Sequence, residues 1–547
     1  MIFMFINFSE IPNSSNLFLD YLYEFDNVKK YYGADFRNRQ KYPLLFQEIS
    51  SQRKNQNKNS EAIYEIVKKQ YKDKTPSAKT QRNIELLKSS DSLTIVTGQQ
   101  LGLLGGPLYT FYKTITVLKL VSSLSQDFDN YNFIPVFWME SEDHDLLEVN
   151  NLSILDEQNL PKELILPFSS QDSENHKSVG NIEFTDNITS ILNELQTSLR
   201  NTDFSKNIFS LLNSIYTKGK TYKNAFKELM FSLFDKYGLV IFDPKDDDVK
   251  NLLKPIFKNE LTNYRKHSES LVNISAQLDE VYHSQVKIRA INLFMEHENE
   301  RFLIEPIEDG FRLKNKRIRF SKEEIFNLLE TQPNLFSPNV LLRPVCQDFL
   351  FPTAFYVAGP GEIAYFAQAL HLYDYFNISK PIIYPRISAT ILEKNIQNII
   401  NKLNISNKDV FIKKDSLTEL IVKNISNFDL NSVFGMTQTD IELSMNHLKD
   451  KTLEIDVQIG ELLEKYKSKM IVNLEEYKTK VMEAQKRKHE ISLRQFQKVL
   501  NSILPNQVLQ ERVINYYYFA NKYGDDFLSL LFDSLLINKF EHQIVQL

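Results

Sequence analysis

The chain has 547 residues and a mass of 64.1 kDa, with 42% hydrophobic and 25% charged residues, enough apolar material for a large core divided among several units. Its 65 basic and 70 acidic residues leave a net charge of −5, which carries no electrostatic footprint for a nucleic-acid backbone. A single cysteine, Cys346, excludes an intramolecular disulfide framework and any multi-cysteine metal site, and only 14 glycines, against an average usage of about 7%, exclude a glycine-rich fibre.

The opening MIFMFINFSEIPNSS is briefly apolar without a basic flank, so it reads as an ordered strand or helix start rather than a signal peptide. No apolar run approaches the ~20 residues of a membrane span; no membrane partner is expected, and the cytoplasm is the expected compartment. Residues 1–90 show mainly helical spacing. Then come a β-branched run at 93–97, a glycine cluster, and a helical pattern from 108 to 124: strand, turn, helix, the opening of an α/β unit. Further buried-strand runs stand at 133–139, 239–242, 351–357 and 381–384, each ending in polar or glycine residues. Apolar strands separated by helices predict an α/β fold with a parallel sheet and insertions. The expected division is a helical N-terminal part (1–90), a first core half (91–160), an inserted segment (161–235), a core strand with a second insertion (236–335), a second core half (336–436), a coiled coil (437–504) and C-terminal helices packing back on the core (505–547). The coiled coil is read from heptad steps and from charge: 19 of the 42 residues from 449 to 490 are Asp, Glu, Lys or Arg. Gly460, just after Asp456, is the expected bend.

Four clusters follow predicted core strands. In TGQQLGLLGGPLYTFYK (97–113), glycines 98, 102, 105 and 106 crowd a turn before a helix; a helix N-terminus there suits an anion, with Gln99, Gln100, Gly105, Gly106, Tyr109 and Lys113 around it. The spacing is neither GxGxxG nor GxxxxGK[ST], and a turn packed for its own sake is the competing reading. Glu142-Asp143-His144-Asp145 sets carboxylates beside an imidazole, suited to acid–base work near neutral pH or to a divalent cation. AGPGEIAYFAQ (358–368) repeats the glycine turn with Gly359 and Gly361, and spaces Glu362, Tyr365 and Gln368 along one helix face. Arg386 and Ser388 follow the last strand, the arginine suited to a phosphate or carboxylate. All four clusters are expected at one edge of one sheet.

These segments, with PVFWMESEDHDLLEVN (135–150), LRPVCQDFLFPTAFYVAGPGEIAYFAQ (342–368), PRISATILE (385–393) and LPNQVLQER (504–512), resemble the successive signatures of BshC, the bacillithiol biosynthesis cysteine-adding family, over about 420 residues. The resemblance implies a Rossmann-type core with connecting-peptide insertions and a coiled coil that forms a homodimer. It implies joining of L-cysteine to the amino group of glucosaminyl malate, with ATP or another adenine nucleotide bound near the coiled coil, where Asn506, Gln510 and Arg512 are the matching residues. The turn after the long helix reads Pro505-Asn506-Gln507 where the family has a PNG-type turn, and no HIGH-like synthetase motif is present. Amide formation from a free carboxylate requires activation of that carboxylate and an unprotonated amine. Lys113 or Arg386 would neutralise developing charge, and His144 or a neighbouring carboxylate, with Glu142 and Asp145 beside it, would take the proton. A non-catalytic coiled-coil dimer that binds a nucleotide or metabolite is the alternative.

Overall fold

The structure, a computed structural model, describes residues 4–55, 57–168, 177–411, 417, 420–421, 424, 430–454, 457–488 and 490–547. Five strands form the central sheet: β1 (Ser92–Gln99), β2 (Asn132–Met139), β3 (Val240–Phe242), β4 (Thr353–Ala358) and β5 (Ile382–Pro385). Their spatial order is β5-β4-β1-β2-β3, with every pairing parallel. The sequences SLTIVTGQ and NFIPVFWM of β1 and β2 are buried along almost their whole length, as strands covered on both faces require. Helix α1 (Leu108–Asp127) joins β1 to β2 and packs on both and on β4. The chain runs outward through β2 and β3, then returns to the other side of β1 as β4 and β5. The order therefore reverses between β1 and β4.

Two insertions interrupt the sheet, the first beginning before the expected boundary at 161. Between β2 and β3 lie the antiparallel pair Asn151–Leu155 and Pro161–Ile165 and helices from Asn187–Ser198 to Tyr222–Phe234, in an apolar cluster that also takes in Phe111 of α1, Phe137 of β2 and Tyr516 of the C-terminal segment. Between β3 and β4 lie α2 (Asp247–Asp279) and a five-stranded antiparallel sheet that begins at Leu293–His297. That sheet runs past the expected boundary at 335, because Phe336–Pro338 pairs with Leu293–His297. Helix α3 (Arg343–Leu350) leads into β4, and α4 (Pro360–Ala369) follows it.

The C-terminal third departs further from the expected division. β6 (Ser388–Leu392) leaves the parallel sheet straight after β5 and pairs with β7 (His542–Gln546), which in turn pairs with Met4–Ile6. The second core half thus ends near 387 rather than 436, and the final segment contributes a central strand as well as helices. Neither end of the chain has a strong strand pattern alone; pairing across the full length of the chain supplies it. The coiled coil is a helical hairpin of α5 (Leu430–Leu453) and α6 (Val457–Lys488), tied by Lys449 to Glu464 at 2.7 Å and by Lys467 to Asn446 at 3.2 Å. Its break falls between Leu453 and Val457, with Ile455 and Asp456 outside the described residues, and Gly460 lies inside α6.

Candidate active site

A cavity of about 690 Å³ opens at the carboxyl ends of β1, β2 and β4, the reversal point at which open α/β sheets bind ligands. Gly98 and Gln99 of β1, Glu140 after β2, Gly359, Gly361 and Glu362 at the start of α4, and Arg386 after β5 line one side; Phe294, Arg301 and residues 338–340 of the second insertion close the other. Gly98 is required for contact rather than for backbone conformation. A Cβ there would stand 3.1 Å from Glu140 Oε1 and 3.2 Å from the Trp138 carbonyl oxygen.

The wall is assembled from ion pairs whose members come from different elements. Pro360 occupies the first turn of α4, where its missing N–H costs nothing, and Glu362 turns back to accept the Gly359 N–H at 2.7 Å. That carboxylate also accepts from Tyr356 at 2.8 Å and pairs with Lys113 Nζ at 2.5 Å. Lys113 donates in addition to the Gly98 carbonyl and to Gln99 Oε1, both at 2.9 Å, so its three protons are spent. Burial pushes this ammonium below the usual lysine range, and Glu362 opposes the shift. Gln99 donates to the Tyr109 hydroxyl at 3.1 Å, and Arg386 lies over the Tyr109 ring at 5.5 Å.

Arg386 itself donates to buried Glu511 at 2.6 Å. Burial raises the Glu511 carboxyl, but Arg386 and the Ala389 N–H outweigh it and hold it low; the Ser388 hydroxyl also donates to it. Arg343 reaches Glu140 Oε1 at 3.0 Å and the Tyr365 hydroxyl at 2.6 Å. Burial pushes Glu140 up to about 7 against the pull of Arg343. Glu142 pairs with buried Lys250. Four cations around the cavity are thus each matched by a carboxylate.

Beyond Glu142 the polar run diverges. Gln100 donates to Asp143 and Glu148, both at 2.6 Å, and Asp143 also accepts the His144 N–H at 2.7 Å. Arg301 approaches His144 Nδ1 at 3.3 Å while gripping Ser337 Oγ and the Pro338 carbonyl. A guanidinium only donates, so Nδ1 is the acceptor in this contact, and the Asp143 carboxylate lies 3.8 Å from the same nitrogen. Asp145 caps the short helix Leu146–Val149 and lies outside the cavity lining. Among the described residues no group of three or more His, Cys, Asp and Glu side chains is gathered as metal ligands. Lys287, Arg289 and Arg512 stand exposed at the cavity mouth and, among the described residues, form no ion pair.

Comparison with known proteins decides the family. Residues 2–387 match the family model described as "Bacillithiol biosynthesis BshC, N-terminal Rossmann-like domain", and residues 389–547 match the model for the BshC C-terminal coiled-coil domain. The chain belongs to the BshC family. Relatives named "Putative cysteine ligase BshC" include one from Salinibacter ruber, 33% identical over 97% of this chain and 96% of its own length. Others are from Chloroherpeton thalassium, at 34% over 97% and 96%, and Flavobacterium johnsoniae, at 32% over 95% and 95%. The two matched families join at 387–389, where β5 gives way to β6, so this BshC chain has the expected Rossmann-type core followed by a coiled-coil domain.

Not every residue expected in the BshC site reaches the cavity. Gly105 and Gly106 do not cradle an anion: at φ of +85° and +73° they form a turn whose carbonyl at Gly106 accepts from Asn515 at 2.9 Å, and a Cβ on Gly105 would meet the Phe111 ring at 2.9 Å. The first N–H of α1 donates to the Ile514 carbonyl, so this helix start is sealed by the C-terminal segment. Gln368 is spent on Val286 and Ser275, and Ser388 on Glu511 and His542. Gln510 is buried and bound to the Ile391 backbone and the Ser502 carbonyl, Asn506 is exposed in the turn before it, and of the three residues matched to a nucleotide only Arg512 lines the cavity. Arg301, Arg343 and Glu140 were not singled out as site residues by sequence reasoning. An arginine directly ahead of Pro344 in an otherwise apolar run was the one local signal for Arg343; Arg301 lies in an inserted strand and had none.

Proposed function

We propose that this chain is the carbon–nitrogen ligase that joins the carboxyl group of L-cysteine to the amino group of glucosaminyl malate in the last step of bacillithiol synthesis, at the expense of an adenine nucleotide. The observation that supports the reading most is the cavity at the sheet's reversal point in a chain with full-length BshC relatives. Its interior, where cations are already matched by carboxylates, suits the amino acid and sugar groups. Its unpaired rim of Lys287, Arg289 and Arg512 suits carboxylate or phosphate anions. The nucleotide would supply the activation that a free carboxylate needs; Lys287, Arg289 and Arg512 are the residues here chemically fitted to its phosphates. Lys113 and Arg343 fix the dipoles of the wall before substrate arrives, which is how a site stabilises charge without reorganising. His144, held through Nδ1 by Arg301, orients substrate within this wall, and on this reading the reaction takes place in the cytoplasm.

We further infer that the hairpin of α5 and α6 pairs with a second copy. Leu448, Leu462, Met470 and Tyr477 are exposed along it, an arrangement that a heptad pattern produces when its partner is missing.

The test is to incubate the protein with L-cysteine, glucosaminyl malate and ATP and to weigh the products. A new thiol at the summed mass less one water, formed only with nucleotide, is the expected result. Absence of product with every nucleotide, together with tight binding of the amine, favours a non-catalytic metabolite-binding dimer instead.

A further inference from the structure

Forming an amide requires a group that removes a proton from the attacking nitrogen, and the cavity offers four carboxylates: Glu140, Glu142, Asp143 and Glu362. Three of them are committed. Glu362 accepts from Lys113, Tyr356 and the Gly359 N–H; Glu142 is paired with the buried ammonium of Lys250; Asp143 accepts from Gln100 and from the N–H groups of His144 and Asp145. A proton placed on any of them would displace a donor. His144 is no better placed, because its Nδ1 lone pair already accepts from the Arg301 guanidinium.

Glu140 differs from all of these. Arg343 pairs with Oε1 at 3.0 Å, and Oε2 accepts no hydrogen bond from the described residues. The side chain is 23% exposed and lines the cavity directly beyond β2, with Gly98 too small to cover it. Arg343 from α3, Lys113 from α1 and Arg301 from the antiparallel sheet face it as cations; Glu362 from α4 and Asp143 of its own loop face it as anions.

We propose that Glu140 is the catalytic base of this site, its Oε2 accepting the proton that the attacking amine loses as the amide forms. The proposal rests on the ligase reading above. In the step, the nitrogen lone pair forms the bond to an acyl carbon that a nucleoside triphosphate has activated. The bond from that carbon to the phosphate leaving group breaks, its electron pair departing on the phosphate oxygen, and the surplus proton on nitrogen passes to Glu140 and then to solvent. A base must be ionised to act. With burial holding Glu140 near 7, the rate rises with pH through that region.

The experiment compares the wild-type enzyme with Glu140→Gln and Glu140→Asp, with cysteine, glucosaminyl malate and ATP as substrates and near-UV circular dichroism as the check on folding. The expected results are a kcat for Glu140→Gln lower by about 10²–10⁴-fold, a KM for the amine changed less than about threefold, and loss of the acid limb centred near pH 7. Glu140→Asp should recover part of the rate together with a displaced limb, which a merely structural role would not produce. Wild-type kcat, or an unaltered acid limb, in folded Glu140→Gln overturns the proposal; if that variant does not fold, wild-type rate and midpoint in Glu140→Asp overturn it. Absence of product from the wild type overturns the ligase reading and this proposal together, whereas product from the wild type and equally from Glu140→Gln overturns this proposal alone.

Discussion

Arg386 shows how a single side chain serves fold and site at once. It lines the cavity and is at the same time, among the described residues, the cation in hydrogen-bonding contact with Glu511, whose carboxylate is 1% exposed. Removing one member of a buried pair strands the other charge, at a cost of about 3–5 kcal/mol, whereas replacing both by apolar side chains of similar volume is often neutral. Arg386→Ala is therefore expected to lose about 3–5 kcal/mol in a denaturant titration. Arg386→Met combined with Glu511→Met should recover most of that stability while product formation stays abolished, because the cavity loses its arginine in both variants. Equal stability of the single and double variants would show that the stranded Glu511 charge is not what destabilises Arg386→Ala. Arg386 and Lys113 were legible from sequence as cations placed after or near a core strand end. Their pairing was not legible, since Glu362 follows the other glycine turn, far along the chain from Lys113, and Glu511 lies more than a hundred residues beyond Arg386.

β6 and β7 carry the pH response of the fold. His542 is fully buried in β7 between the Ser388 and Thr390 hydroxyls at 2.8 Å each, and burial pushes its imidazole from 6.5 down to about 4. The native state thus holds it neutral, while the unfolded chain takes up a proton below 6.5. Stability is complete above that pH and declines as the pH falls toward about 4, by about 3 kcal/mol for this one group. His542→Gln should flatten the decline over that window when thermal midpoints are measured at closely spaced pH values. An undiminished slope would assign the acid sensitivity to other groups. The glycine turn before α1 teaches the same lesson about elements: its sequence predicts a turn before a helix, and that is what forms. Whether the turn faces a ligand or the protein depends on the C-terminal segment: the Ile514 carbonyl takes the helix-start N–H that an anion would accept from, and Asn515 donates to the turn's carbonyls. Nothing in residues 97–113 encodes that choice.

For the molecule as a whole, the helical hairpin is the part whose apolar surface exceeds what one copy covers. Leu462→Glu with Met470→Glu is expected to convert a dimer to a monomer in sedimentation equilibrium while leaving the core's thermal transition in place, because α5 and α6 project their exposed apolar side chains away from the central sheet's cluster. A dimer that survives both charges would place the interface elsewhere. The cavity belongs to a single copy in its wall and floor, so the monomer should retain at least part of its activity.

Periodicity, glycine scarcity and motif order were sufficient to read the class of fold, the strands of the parallel sheet, the two insertions, the coiled coil and the family, because each is written in local spacing that neighbouring residues on one segment satisfy among themselves. The identity of the site's working groups was not accessible in that way. Glu140, Arg343 and Arg301 acquire their roles from partners on other elements, and burial at the reversal of the strand order sets the ionisation of Glu140. Electrostatic environment is a property of the space between segments, so chain order alone does not record it; the packing of α1, α3, α4 and the antiparallel insertion around the ends of β1, β2 and β4 does.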